Sequence, residues 1–187
     1  MSSLNTPDEA LRFLKKIECP ENILQHVIHV SKVALEIAEA STRRGITVDA
    51  KLVKVGALLH DAGRTITHNV NHGVVGAALV RSGGFPEPVA QLVQKHVGAG
   101  IPAEEAWAIG MPKMNYIPET VEEKIVSYAD KLIQGTRLVG FEEALKSFRK
   151  TLGSKHPAIA RFKRLHEEIS NITGGSPLGT AHIREDS

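Results

Sequence analysis

VKVGALLHDAGR, from Val53 to Arg64, is an apolar run that stops abruptly on His60-Asp61. Packing alone does not explain an imidazole beside a carboxylate at the end of a hydrophobic segment. A charged Asp costs several kcal/mol to bury unless something positive compensates it. Two arrangements meet that cost: a solvated helix end, or a bound cation. Working back from the dipeptide, Leu52, Val53, Val55, Leu58 and Leu59 have helical spacing and Asp49 is the expected cap, with Gly63 the expected stop.

Helical patterns continue on both sides. Thr6-Pro7-Asp8-Glu9 announces a first helix, since Thr caps, Pro suits the first turn and acids favour the positive end of the dipole. Pro20-Glu21 opens a longer one that runs to Gly45, with Ile23, Val27, Val30, Ala34, Ile37 and Ala38 as its apolar stripe. His26 and His29 share a face of it. After a polar connection, Arg64 to Asn71, a fourth helix begins near His72 and stops at Gly83-Gly84. Pro86 or Pro88 opens a fifth that ends at His96-Val97-Gly98. A short helix, Ala103 to Ile109, follows, and then a loop from Met111 to Pro118. Thr120 and Glu123 form a capping-box pattern for the helix containing Asp130. Amphipathic helices over Phe141 to Leu152 and Pro157 to Ile169 complete the ordered part. No alternating run with turn chemistry forces a strand. The expected fold is an all-α bundle of seven to nine helices in one domain, residues 1–170, with a loose tail over 171–187.

The 187 residues suffice for a sizeable core without staples. A formal charge of +2 with spread basic residues, and only 4% aromatics, argues against nucleic acid as a partner. A single Cys19 excludes an internal disulfide and a thiolate zinc site, and it fits a reducing compartment. The N-terminus resembles no signal peptide and no apolar run approaches a membrane span, so the cytoplasm is the default location and no membrane partner is expected.

In chain order the candidate ligands are His26, His60-Asp61, His72, His96 and Asp130, each at or near a helix end or on an apolar face. Imidazole and carboxylate without thiolate is a ligand set for divalent iron, manganese, cobalt, nickel or zinc. A carboxylate next to a His can also bridge two cations, an arrangement known to cleave phosphoesters.

Over Glu21 to Ile133 the chain resembles the HD-domain superfamily of metal-dependent phosphohydrolases. Four pieces carry the resemblance. They are His26 with Val30, Ala34, Ile37 and Ala38; LLHDAGR; His72 in HGVVGA with His96 ending the next helix; and Ser127-Tyr128-Ala129-Asp130-Lys131. That register selects His26 over His29. Simple members hold one metal with the His, HD and Asp positions, while His72 and His96 are what binuclear members possess. The resemblance implies that His26, His60, Asp61 and Asp130 hold one ion, and that Asp61 bridges to a second held also by His72 and His96. Ligand order is similar to that of bacterial symmetrical diadenosine tetraphosphate hydrolases. The GYP triad and adjacent His pair of the cyclic-dinucleotide phosphodiesterases are absent. Arg64 stands where the family most often has Lys, which keeps the charge but adds a planar fork.

The implied activity is hydrolysis of a phosphoester or phosphoanhydride in a small phosphorylated, nucleotide-like molecule. Catalytic roles fall to Asp61, Arg64 and Lys131. Some proteins with a similar six-ligand order are mixed-valent di-iron oxygenases, and a nucleotide-sensing module with a structural metal is a third reading. His29 is expected to pack within the bundle and His68 to be a solvated loop residue. His156, His166 and His182 are expected at the surface. Lys95 has both a surface and a phosphate-binding reading. Gly98-Ala99-Gly100-Ile101 is either a substrate-bordering loop or a plain helix stop. Trp107, Met111, Met114 and Tyr116 are expected to pack under the long loop. The amphipathic C-terminal helix around Phe162 and Leu165 has two readings, a homodimer surface or a cover for the core.

Overall fold

The computed structural model describes residues 6–175. The predicted tail beyond that point, with His182, lies outside the described residues. Among the described residues the chain forms nine α-helices: α1 (Pro7–Lys16), α2 (Glu21–Arg43), α3 (Ala50–Leu59), α4 (His72–Ser82), α5 (Glu87–Lys95), α6 (Ala103–Ala108), α7 (Val121–Leu132), α8 (Phe141–Leu152) and α9 (Pro157–Thr173). The predicted caps operate. The Thr6 hydroxyl accepts from the Glu9 N–H at 3.3 Å while the Glu9 carboxylate accepts from the Thr6 N–H at 2.8 Å. Thr120 and Glu123 repeat the box on α7. Each box satisfies N–H groups that the first turn leaves without helical partners.

Two apolar clusters share α2 and α3 as a common wall. One gathers Val30, Ile37, Val53, Val126, Leu132 and Phe162 from α2, α3, α7 and α9, with Ala144 and Leu145 of α8. The other gathers Leu14, Val27, Leu59, Val80 and Val93 from α1 to α5. His26 lies on α2 next to Val27 of the second cluster, and Asp130 lies in the last turn of α7 next to Ala129 of the first. The ligand-bearing ends of α3, α4, α5 and α7 therefore meet where the two clusters adjoin. Among the described residues, no helix is long and apolar enough to cross a membrane.

Three boundaries differ from the sequence reading. First, α3 ends at Leu59, so His60-Asp61 leaves the α-helix and Ala62–Thr65 turns as a 3-10 segment through Gly63. Gly63 is a contact glycine and not a stop. A Cβ there would lie 1.9 Å from the His72 carbonyl oxygen and 2.6 Å from the Gly76 nitrogen. Second, a two-residue-per-strand hairpin exists, β1 (Ile133–Gln134) against β2 (Arg137–Leu138), closed by Gly135 at φ 65°. Strands of two residues carry no alternation to read. Third, α9 continues to Thr173 and Gly174 closes it in the left-handed region, so the tail boundary predicted at 171 falls inside its last turn.

Beneath the long loop, Met111 and Tyr116 are buried as expected, but Trp107 is 65% exposed and Met114 51% exposed. Those two are surface residues, because the loop core is already filled by Val97, Ile101, Ala106, Met111 and Tyr116.

Candidate metal centre

Five side chains from five helix ends or faces converge on Asp61. His26 comes from α2, His60 and Asp61 from the residues just past α3, His72 from the first position of α4, His96 from the residue after α5, and Asp130 from α7. The two oxygens of Asp61 divide the set. Oδ2 faces His26 Nε2 at 3.9 Å and His60 Nε2 at 3.7 Å, and both imidazoles also face Asp130 Oδ1, at 3.1 and 3.4 Å. Oδ1 faces His72 Nε2 at 3.4 Å and His96 Nε2 at 3.5 Å, and those two nitrogens are 3.1 Å apart.

Backbone carbonyls set the tautomer of all four imidazoles. Nδ1 of His26 lies 2.8 Å from the Gly135 carbonyl, and Nδ1 of His60, His72 and His96 lies 2.7 Å from the carbonyls of Ala57, Asn69 and Val93. A carbonyl only accepts, so each Nδ1 donates its proton there and each ring turns its Nε2 to the centre. The lone pairs of His72 and His96 then oppose each other at 3.1 Å, and His60 Nε2 and Asp61 Oδ1 are buried without a hydrogen-bond partner. Buried acceptors converging without donors are stable only around positive charge. Two ligand atoms about 2.1 Å from one ion stand roughly 3.0–3.4 Å apart at right-angled or tetrahedral geometry. The His26 and His60 distances to Asp130 and the His72 distance to Asp61 lie in that range, and backbone carbonyls behind each His are the outer partners such sites use.

The charges in the site follow from the same crowding. Burial pushes His72 down to about 3, helped by His96 and partly opposed by Asp61. Burial also lowers His96, against the pull of Asp61. Burial by itself would raise Asp61, but His60 and His96 hold it well below the usual carboxylate range. Asp130 is held low in the same way, chiefly by Lys131 and then by His26 and His60. His26 moves up: burial disfavours its charge, yet Asp130 outweighs that. One consequence concerns the metal-free chain. Unfolded His72 takes up a proton near its ordinary 6.5, whereas folded His72 does so only near 3. The unfolded state therefore binds more protons in that window. Stability is fully present above pH 6.5 and falls as pH drops toward 3. Urea midpoints of metal-stripped protein should decline across that window; a midpoint unchanged between pH 7 and pH 4 would contradict this.

Arg64 and Lys131 lie beside the carboxylates. Arg64 Nε donates to Asp61 Oδ2 at 2.7 Å, and Lys131 Nζ donates to Asp130 and, at 3.2 Å, to the His96 carbonyl. The buried Ser127 hydroxyl reaches the same carbonyl at 3.3 Å, so the end of α5 is fastened to α7. Lys95 binds Glu119 and Glu123 at 2.8 and 3.1 Å, which makes it a strut between α5 and α7. Of the loop Gly98-Ala99-Gly100-Ile101, Gly98 borders the cavity over the centre, next to Val97, while Ala99 and Ile101 are buried.

The other histidines separate. His29 bonds the Gln25 carbonyl of its own helix at 2.7 Å and His68 is exposed, both as expected. His156 is more than a surface residue: its Nδ1 accepts from the Ala158 N–H and caps α9. His166 is also not peripheral. It stacks on Phe141 with ring centroids 3.6 Å apart, and its Nδ1 lies 2.6 Å from the Tyr128 hydroxyl. Its place on α9 shows only helical spacing, so nothing in the sequence marks the long-range partner. His166→Leu should destabilise the protein by about 1–3 kcal/mol, because a buried hydroxyl loses its partner. Urea unfolding measures this, and a change below about 0.3 kcal/mol would argue against that bond.

The cavity has a volume of about 360 Å³, and its rim includes residues no motif flagged: Gln134 of β1 and Ala144, Ser147, Phe148 and Thr151 of α8. All follow the stretch that carried the resemblance. The only available signal was the spacing 144, 147, 148, 151, which is one helical face.

Comparison with known proteins agrees with this geometry. A family model described as HD domain matches residues 23–134. An uncharacterized protein of Methanocaldococcus jannaschii is 47% identical over 165 residues, covering 88% of this chain and 97% of that one. A tRNA (cytidine(56)-2′-O)-methyltransferase of Picrophilus torridus is 39% identical over 167 residues. That alignment covers 89% of this chain but 47% of the methyltransferase, so the chain spans about half the length of that relative. Among solved structures, the HD domain of the L. monocytogenes phosphodiesterase PgpH in complex with cyclic-di-AMP superposes with a TM-score of 0.55 at 17% identity, covering 94% of this chain and 100% of that domain. At that identity the likeness is one of fold.

Proposed function

Since this chain belongs to the HD-domain family, we propose that it is a metal-dependent phosphohydrolase acting on a phosphoester or phosphoanhydride of a small, nucleotide-like molecule. The observation that carries the reading is the division of Asp61, with Oδ2 toward His26 and His60 and Oδ1 toward His72 and His96. On this reading His26, His60, Asp61 and Asp130 would hold one divalent transition ion, and Asp61, His72 and His96 a second. When bound, such ions supply an acidified water as nucleophile and neutralise charge on the phosphoryl oxygens.

The chain's own groups do the remaining work. The carbonyls that accept the Nδ1 protons hold the four imidazoles with Nε2 aimed inward. Arg64 spends Nε on Asp61 and keeps two terminal nitrogens for non-reacting phosphate oxygens. Lys131 lines the same cavity and adds a second positive charge. No protein nucleophile is needed. The cavity over the centre, about 360 Å³, is of a size that suits a small nucleotide-like substrate. Action in the cytoplasm belongs to the same reading.

The test is a panel of phosphomonoesters, phosphodiesters and dinucleoside polyphosphates, assayed with Mn²⁺, Fe²⁺ or Co²⁺ on protein shown to bind metal. Turnover of at least one compound, lost in His60→Ala, is expected. Metal-loaded protein that hydrolyses none of them, but consumes oxygen with an iron–iron spectroscopic signal, would replace the proposal with the oxygenase reading.

A further inference from the structure

We infer that one face of α8 is a nucleoside-recognition subsite in which Phe148 stacks on the base of the substrate. The inference rests on the phosphohydrolase reading and adds to it the part of the substrate that is not phosphate. Ala144, Ser147, Phe148 and Thr151 stand at i, i+3, i+4 and i+7 and all line the cavity that holds Asp61, Arg64 and Lys131. The family model ends at residue 134, so this wall is supplied by a helix outside the matched span.

The wall has two kinds of surface. Phe148 is half-buried, with its ring edge-to-face on Phe162 at 5.3 Å between centroids and 67° between planes. That contact fixes the ring before any ligand arrives, so stacking forfeits little side-chain freedom. Beside it, Ser147 and Thr151 are exposed hydroxyls, and Gln134 brings a carboxamide that both donates and accepts. A fixed aromatic ring next to hydroxyl and amide groups suits a planar heterocycle carrying polar edges. The cavity, about 360 Å³, falls within the ~300–1,000 Å³ range of small-ligand pockets. From Ala144 to Leu152 α8 contains Lys146, Arg149 and Lys150 and no acidic residue, so it presents no carboxylate to repel a phosphate. The phosphate end belongs at the Arg64 and Lys131 side, and the base at the α8 side.

Calorimetric titration of the Mn²⁺-loaded full chain with adenosine 5′-monophosphate and with ribose 5-phosphate tests this. The two probes share phosphate and sugar and differ by the base; where either is turned over, KM replaces the dissociation constant. Adenosine monophosphate is expected to bind roughly ten- to a hundredfold more tightly, the range of one base–aromatic stack. Phe148→Leu keeps apolar packing on Phe162 but removes the aromatic face. It should abolish most of that preference while leaving ribose 5-phosphate unchanged, and Phe148→Tyr should restore it. Ser147→Leu, at an exposed position, should weaken the nucleotide alone. Equal binding of the two probes by wild-type protein overturns the subsite and leaves the phosphate site standing. A preference that survives Phe148→Leu overturns the role of Phe148. Binding of neither probe overturns this inference together with the phosphohydrolase reading.

Discussion

Asp61→Asn protein is expected to fold normally, to lose metal and to lose activity by about a thousandfold or more, equivalent to about 4 kcal/mol. The carboxylate faces Nε2 of His26 and His60 with one oxygen and Nε2 of His72 and His96 with the other. Asparagine keeps its volume but removes the negative charge and replaces one oxygen with an N–H donor. That donor can satisfy the Nε2 lone pairs of His72 and His96, so the metal-free variant should be no less stable than metal-free wild type. The signature is therefore a split: lower metal content and turnover, with an undiminished urea midpoint after metal stripping. Activity within tenfold of wild type would remove Asp61 from the centre of the account. A stripped variant that does not fold would make its role structural.

Gly63→Ala should be the most damaging single methyl group in the protein, costing about 3–5 kcal/mol or preventing folding. Its Cβ would come within 1.9 Å of the His72 carbonyl oxygen, 2.6 Å of the Gly76 nitrogen and 2.9 Å of the His72 carbonyl carbon. All three are backbone atoms at the start of α4, so no side chain can swing aside. Relief requires α4 to move away from the turn that carries Asp61, which would separate His72 from its Oδ1. Urea unfolding gives the magnitude. A loss under about 1 kcal/mol would show that the two segments do not pack this closely in solution.

The same contact shows how far the sequence could be read. The order His26, His60-Asp61, His72, His96, Asp130 was legible because metal-ligating residue types stood at helix ends that caps and apolar spacing had already located. Gly63 was misread because a helix stop and a close-contact glycine look alike until the partner backbone is in place. Likewise, His60-Asp61 was expected at the end of an α-helix and instead follows it, where the chain turns into the 3-10 segment whose Gly63 abuts the start of α4. The hairpin of Ile133–Gln134 and Arg137–Leu138 was too short to leave a pattern, yet its Gly135 carbonyl fixes the ring of His26. Long-range pairs defeated the reading most completely. His166 with Tyr128, and the face of α8 over the cavity, depend on helices that are distant in sequence and carry no local signal of their partners.

Metal stoichiometry is the most direct test of a shared, Asp61-bridged pair of cations. Elemental analysis of the purified chain should give about two divalent ions per chain, and His72→Ala and His96→Ala should each lower this toward one while His26, His60 and Asp130 keep the remaining ion. A wild-type content of one ion, unchanged in both variants, would contradict the account.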